Sequence, residues 1–258
     1  VTHHVQMQSL DNAFTEDDMG VFFKNIVSAV GNKTLTDNMS FVGEVKYDGL
    51  AIEIVYRDGI LTQASTRGDG YVGEDVTRQV KEIPGIPHTL NGDVSGLVVI
   101  NGEIYLPNEG FEKINKRLTE LKAKPFSNAR NAAAGILRRI RDTECDRNLL
   151  SLACYTLAEC SEGIPDTHCE CLEVMRVCGL PVSDMAQVLM SWDAVMAYYT
   201  ARQGDRASLG YQIDGVVIKV NDRRLYDTIG KSGKYPHWAI AMKFDAVVYH
   251  TTLRDVIF

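Results

Sequence analysis

The stretch "AIEIVYRDGILTQAST", residues 51–66, restricts the possible folds of this chain more than any other part. Two alternating apolar and polar runs flank an Asp-Gly pair, which supplies the positive backbone angles of a tight hairpin turn. The two halves are therefore expected to pair antiparallel. Similar short runs recur at "FVGEVKY", "GLVVINGEIYL", "LLSLACYTLAE", "IDGVVIKV" and "WAIAMKF". Between them, "GFEKINKRLTELKA", "NAAAGILRRI", "THCECLEVMRVCG" and "SWDAVMAYYTARQ" have the pattern of amphipathic helices. Upstream, Met19, Phe22, Phe23, Ile26, Val27 and Val30 share one helical face that stops at Gly31, so residues 1–38 read as a mainly helical segment. Clustered strands separated by helices indicate an α+β fold of antiparallel sheets with flanking helices, not a regular βαβ series.

Four of the strands carry an ion where alternation would tolerate none. In "EVKYDG" a period of two aims Glu44, Lys46 and Asp48 at one face. Lys219 in "DGVVIKV" shares a face with Gly215 and Val217, and Lys243 in "WAIAMKF" shares one with Ala239 and Ala241. Glu103 in "INGEIYL" lies between Asn101 and Tyr105 on its face. Any one of these lysines alone reads as an edge-strand lysine that discourages aggregation. Together they point to a cleft whose ammonium groups face a shared anion, a phosphate above all. The glycine-rich "TRGDGYVGED" adds Arg67 and sharp turns, but it matches neither a P-loop nor the dinucleotide fingerprint.

A net charge of −7 argues against a protein that coats DNA through its whole surface, although "NARNAAAGILRRIR" sets Arg130, Arg138, Arg139 and Arg141 together with no acid among them. The six cysteines form no C-x-x-C pair, so they read as reduced thiols and not as a zinc site. No apolar run approaches the length of a membrane span and the first residues lack a signal-peptide pattern, so a cytoplasmic location is expected.

The order "KYDG", "GEIY", "DGVVIK", "AMKF" resembles the covalent nucleotidyltransferases, the DNA ligases, RNA ligases and capping enzymes with a Lys-x-Asp-Gly nucleophile motif. "SLDNAF", "STRGDGYVGEDVT", "NARNAAAGILR" and "RASLGYQIDGVVIKVN" narrow the likeness to the adenylation domain of bacterial-type NAD-dependent DNA ligases, over nearly all of residues 1–258. The resemblance implies an ATP-grasp-like nucleotidyltransferase domain, with NAD and Mg²⁺ as cofactors and nicked double-stranded DNA as partner, in DNA replication and repair. Lys46 would attack the α-phosphate to give lysyl-AMP. Asp48 and Asp214 would orient it or, with Glu103, meet the metal. Glu44 would sit at the adenine edge, Tyr155 would stack on the purine, Arg67 and Glu103 would contact the ribose, and Ser9 and Leu10 would line the nucleoside pocket. Lys219 and Lys243 would hold adenine and phosphate, and Arg130, Arg138 and Arg206 would engage the nicked strand or the transferred phosphate. Lys219, Lys243 and the metal are expected to offset Glu44 and Asp48 around Lys46.

Asn101 stands where the family usually has Arg, and Ala129 where it has Pro. The family's nicotinamide-mononucleotide-binding domain would precede this chain, and its OB-fold, zinc finger and helix-hairpin-helix regions would follow. An excised domain or one polypeptide of a split ligase is therefore expected, weak on its own in the reaction with NAD. A non-catalytic nucleotide- or nick-binding module and an ATP- or GTP-dependent enzyme, such as an RNA ligase or capping enzyme, are the alternatives.

Overall fold

The computed structural model describes residues 1–139 and 146–245, so Arg141 and Cys145 lie outside the described residues. Strand β1 (Asp11–Ala13) leads into helices α1 (Glu16–Val30) and α2 (Lys33–Asp37). Strands β2 (Phe41–Tyr47), β3 (Leu50–Arg57) and β4 (Ile60–Thr66) follow, then α3 (Thr77–Val80), β5 (Leu97–Tyr105), α4 (Asn108–Glu120) and α5 (Ala129–Arg138). Next come β6 (Ser151–Cys160), α6 (His168–Val177), β7 (Gln187–Leu189) and α7 (Trp192–Asp205). The described elements close with β8 (Ile213–Val220), α8 (Tyr226–Ile229) and β9 (Ala239–Lys243).

The strands make two sheets, ordered β4-β3-β5-β6 and β1-β9-β8-β2-β7. The expected hairpin joins β3 to β4, and Asp58 and Gly59 both take positive φ, 49° and 73°, as its tight turn requires. All pairings are antiparallel except that of β1, whose three residues run parallel to β9 and are too few to show a period.

Each sheet is covered by helices on one face. Ile52, Ile54, Ile100 and Ile104 of the first pack against Ala132, Ala133, Ile136 and Leu137 of α5 and Leu172 and Met175 of α6. Val45, Val216, Ile218, Ile240 and Met242 of the second pack against Met19, Phe22 and Ile26 of α1 and Val195 and Tyr198 of α7. Burial at about 25 cal/mol per Å² of apolar surface makes these two cores the main stabilising force. Alternation then leaves the opposite faces to the polar residues: Glu44, Lys46, Lys219 and Lys243 on the second sheet, Glu53, Asn101 and Glu103 on the first. A bond from Lys219 to the Tyr155 carbonyl spans the two. Among the described residues no helix is long and apolar enough to cross a membrane.

Candidate active site

Lys46, Gly215 and Lys243 lie side by side across β2, β8 and β9. Gly215 cannot carry a side chain, because a Cβ there would stand 2.2 Å from the Met242 carbonyl oxygen. No side chain therefore stands between the two lysines. One carboxylate joins them: Asp214 holds its Oδ1 3.3 Å from Lys46 Nζ and bonds Lys243 Nζ through Oδ2. Strict alternation would turn Asp214 to the opposite face from Gly215. The ladder slips here, since Lys46 pairs Gly215 while Tyr47 pairs Ile213, and Asp214 is the residue left over. A β-bulge of this kind re-aims a side chain, and this one brings Asp214 round to the lysines.

A second slip, between Asn101 and Gly102, leaves Tyr155 as the extra residue of β6. Its carbonyl is free to accept from Lys219 Nζ at 2.8 Å, and the Lys219 ammonium lies 5.4 Å from the Tyr155 ring centre. Lys219 also meets Glu44 Oε1 at 2.8 Å. Burial alone would push the Glu44 carboxyl up, but the Lys219 ammonium and His168 outweigh it and hold the group at about 2.

Glu103 lies opposite Ala51 and Ala153, which leave it room. Burial raises its pKa to about 7, against the pull of the Lys46, Arg130 and Arg67 cations and with a push from Asp214. A carboxyl raised from 4.5 to about 7 binds more protons folded than unfolded across that interval, so stability falls as pH rises through it. Glu103→Gln is expected to flatten this slope. Relative to the parent, the variant should gain on the order of 2–3 kcal/mol between pH 4.5 and pH 8, read by urea unfolding at each pH.

The remaining residues implied by the resemblance are placed less uniformly. Asp48 makes its ion pair with Arg130, at 3.5 Å. Lys219 does face Glu44, and the carboxylate beside Lys46 is Asp214, which Lys243 shares. Arg67 Nη1 reaches Ser9 Oγ at 3.5 Å, which sets Ser9 beside the start of the glycine-rich loop, and Ser9 N donates to the Lys234 carbonyl. That loop turns sharply at Gly68, whose φ of +54° and closeness to the Val72 carbonyl exclude a side chain. Arg138 bonds Glu74 at 2.7 Å at the surface, and Arg206 donates to the Asp245 carbonyl at 3.2 Å, two residues beyond Lys243. Ala129 is accommodated by the cap before it, as Asn128 Oδ1 accepts from Asn131 N at 2.7 Å. Asn101 keeps a buried Oδ1 with no partner among the described residues.

Two groups were not foreseen. His168 bonds Glu44 through Nε2 at 2.8 Å across 124 residues of sequence. Glu53 is wholly buried and holds the first residues of the chain, with His3 Nδ1 at 3.3 Å and the His4 backbone N–H at 3.2 Å. His3 Nε2 in turn reaches the Arg67 carbonyl at 3.0 Å. An acid in the middle of "LAIEIVY" was the signal for Glu53, of the same kind as the strand lysines.

A surface cavity of about 630 Å³ lies against α1, β1 and β9 and includes none of these lysines. Among the described residues no group of three or more His, Cys, Asp or Glu is placed to hold a metal ion. The site is thus a cationic row with a carboxylate-bearing partner face.

The NAD-dependent DNA ligase adenylation domain model matches residues 1–247. The chain belongs to that family. Among solved structures it is distantly similar to a mycobacterial DNA ligase D complexed with ATP and MES, at 14% identity and a TM-score of 0.42 over 79% of this chain and 54% of that one. The ligase domain of LigD from M. tuberculosis gives 16% and 0.43 over 79% and 55%, and the ATP-dependent DNA ligase of bacteriophage T7 gives 14% and 0.44 over 90% and 67%. This adenylation domain spans about half the length of the two mycobacterial chains.

Proposed function

We propose that this adenylation domain takes AMP from NAD onto Lys46 and passes it to the 5′-phosphate of a DNA nick, which the 3′-hydroxyl then seals. The observation that carries the reading is the pair of ammonium groups, Lys46 and Lys243, held on either side of side-chain-less Gly215 by Asp214. A lysine amine must lose its proton before it attacks, since the free amine titrates at ~10.4. Asp214 Oδ1, at 3.3 Å, is in place to receive that proton. The bond from Lys46 Nζ to the α-phosphorus forms as the bond from that phosphorus to the oxygen of nicotinamide mononucleotide breaks. Lys243, on the same face, lies where negative charge develops on the phosphoryl oxygens. Glu44 and Lys219, two residues along from this row on β2 and four along on β8, meet the base, with Tyr155 against its face. Arg67 and Glu103 contact the ribose, and Arg130, Arg138 and Arg206 serve the DNA strand.

Magnesium commonly binds through one or two carboxylates and the substrate's own phosphates rather than an all-protein cage. Asp48 and Asp214 already have cationic partners, so the donor set fits an ion that arrives with the nucleotide and meets Glu103, not a preformed site of three carboxylates. When bound, such an ion would neutralise charge on the phosphates.

Incubation with NAD, ATP or GTP followed by intact-mass measurement tests this. The expected outcome is a chain heavier by one AMP after NAD, with little or no adduct from ATP or GTP. An adduct from ATP or GTP alone would make this a nucleoside-triphosphate enzyme. No adduct from any of the three would make it a binding module.

A further inference from the structure

Glu44 and Lys219 are almost fully buried, and His168, 4% exposed, completes their contacts. It opens α6 and sets Nε2 2.8 Å from Glu44 Oε1 and 3.2 Å from Lys219 Nζ. The protons can be assigned by elimination. Glu44 only accepts, so an unprotonated Nε2 would put two acceptors 2.8 Å apart. Nε2 therefore carries hydrogen and donates to Glu44, and its approach to Lys219 is a contact without a bond. Burial, the Lys219 ammonium and Arg223 hold the ring below its ordinary pKa despite Glu44, and a helix N-terminus also disfavours a cation there. The neutral Nε2–H tautomer is the form that remains.

The backbone fixes the ring's place. His168 N donates to the Asn221 carbonyl at 2.7 Å, and Cys169 N to Asn221 Oδ1 at 3.0 Å. Asn221 is itself tied to Ser40 by its N–H at 2.9 Å and its side-chain amide at 3.1 Å. Ser40 precedes β2 and Asn221 follows β8, so the strands that carry Glu44 and Lys219 also locate the histidine. Both His168 and Lys219 reach the same oxygen of Glu44, and among the described residues Oε2 has no hydrogen-bond partner.

We propose that His168 is the positioning residue for nucleobase choice: it pins Glu44 Oε1 beside Lys219, so that Oε2 and a remaining Lys219 N–H present an acceptor next to a donor. This rests on the nucleotide site proposed above. The amino group and ring nitrogen on adenine's edge complement that pair, whereas hypoxanthine and guanine offer a carbonyl and an N–H in the reverse order. A mismatched base leaves buried groups unpaired, which is where large discrimination comes from. Without the Nε2–H, the carboxylate is free to turn and the pattern is lost.

Calorimetric titration of the full chain with AMP and with IMP reads this directly. The parent should prefer AMP by about a hundredfold. His168→Met, which keeps the volume without a donor, should cut that preference to about tenfold or less, and His168→Gln, which restores an N–H, should recover most of it. A parent-like preference in His168→Met would overturn the proposal, while a parent that binds neither nucleotide would sink the site reading instead. Nitrogen-15 NMR of the parent gives a second test that needs no variant, and decides the matter if either variant does not fold. A neutral Nε2–H imidazole at pH 7 is expected, and an Nδ1–H tautomer or an imidazolium would refute the assignment.

Discussion

Lys46→Ala should abolish the nucleotide adduct, lowering its rate of formation by at least about 10⁴-fold, because in the proposed reaction its amine is the group that bonds to phosphorus. Folding should survive the change. The Lys46 side chain is 24% exposed, and Asp214 keeps Lys243 as a partner, so stability should move by no more than about 1 kcal/mol. Lys243→Ala is the informative contrast. It leaves the nucleophile and removes a charge from the phosphate end of the row, for which a loss of about 10²–10³-fold is expected. Sealing of a nick that already carries AMP should be kept by Lys46→Ala within about tenfold, since the amine has no bond to make in that step. Intact mass after incubation with NAD and gel separation of sealed DNA provide the two readouts. A stable adduct on Lys46→Ala would show that another residue is the nucleophile.

The division of labour among these residues explains how much of the site was legible in the sequence. Glu44, Lys46, Lys219 and Lys243 stood out because a period of two leaves no neutral explanation for ions among apolar neighbours. Their strands, the hairpin at Asp58-Gly59 and the four amphipathic helices all fall within a few residues of where the pattern set them. What alternation hides is any departure from alternation. Asp214 and Tyr155 reach the cleft only because they are bulge residues of β8 and β6, and a bulge has no compositional mark in these segments. The order of motifs suggested roles for them, but not their geometry. Resemblance suggested that Asp48 and Asp214 both orient Lys46 or meet a metal. The turn after Tyr47 gives Asp48 to Arg130, while the bulge gives Asp214 to Lys46.

His168 was hidden for a different reason. "DTHCE" shows a capping box, and Thr167 does cap α6 through Glu170, so the start of the helix was legible. That the first helical residue would reach a carboxylate 124 positions away depends on the Asn221 clamp and on how the two sheets approach, which no local pattern encodes.

Glu44→Gln should destabilise the protein by about 3–5 kcal/mol, the largest stability effect expected at this site, because it strands the Lys219 ammonium without a counter-charge. Lys219 is 4% exposed and its other bond is to the neutral Tyr155 carbonyl, so neither water nor another carboxylate takes over. The pair itself adds little over a neutral one, since the cost of burying both ions offsets most of their attraction. The double variant Glu44→Gln, Lys219→Met should therefore be more stable than the sum of the two single changes by at least about 2 kcal/mol. Acid gives the same information without mutation. The Glu44 pKa is depressed to about 2, so its contribution is fully present above 4.5 and is lost as pH falls through about 2, and the gap between parent and Glu44→Gln should close over that window. Urea unfolding of the four proteins at pH 7, repeated towards low pH, measures both. Additive single changes, or a gap independent of pH, would mean that Glu44 and Lys219 are not coupled as their 2.8 Å contact implies.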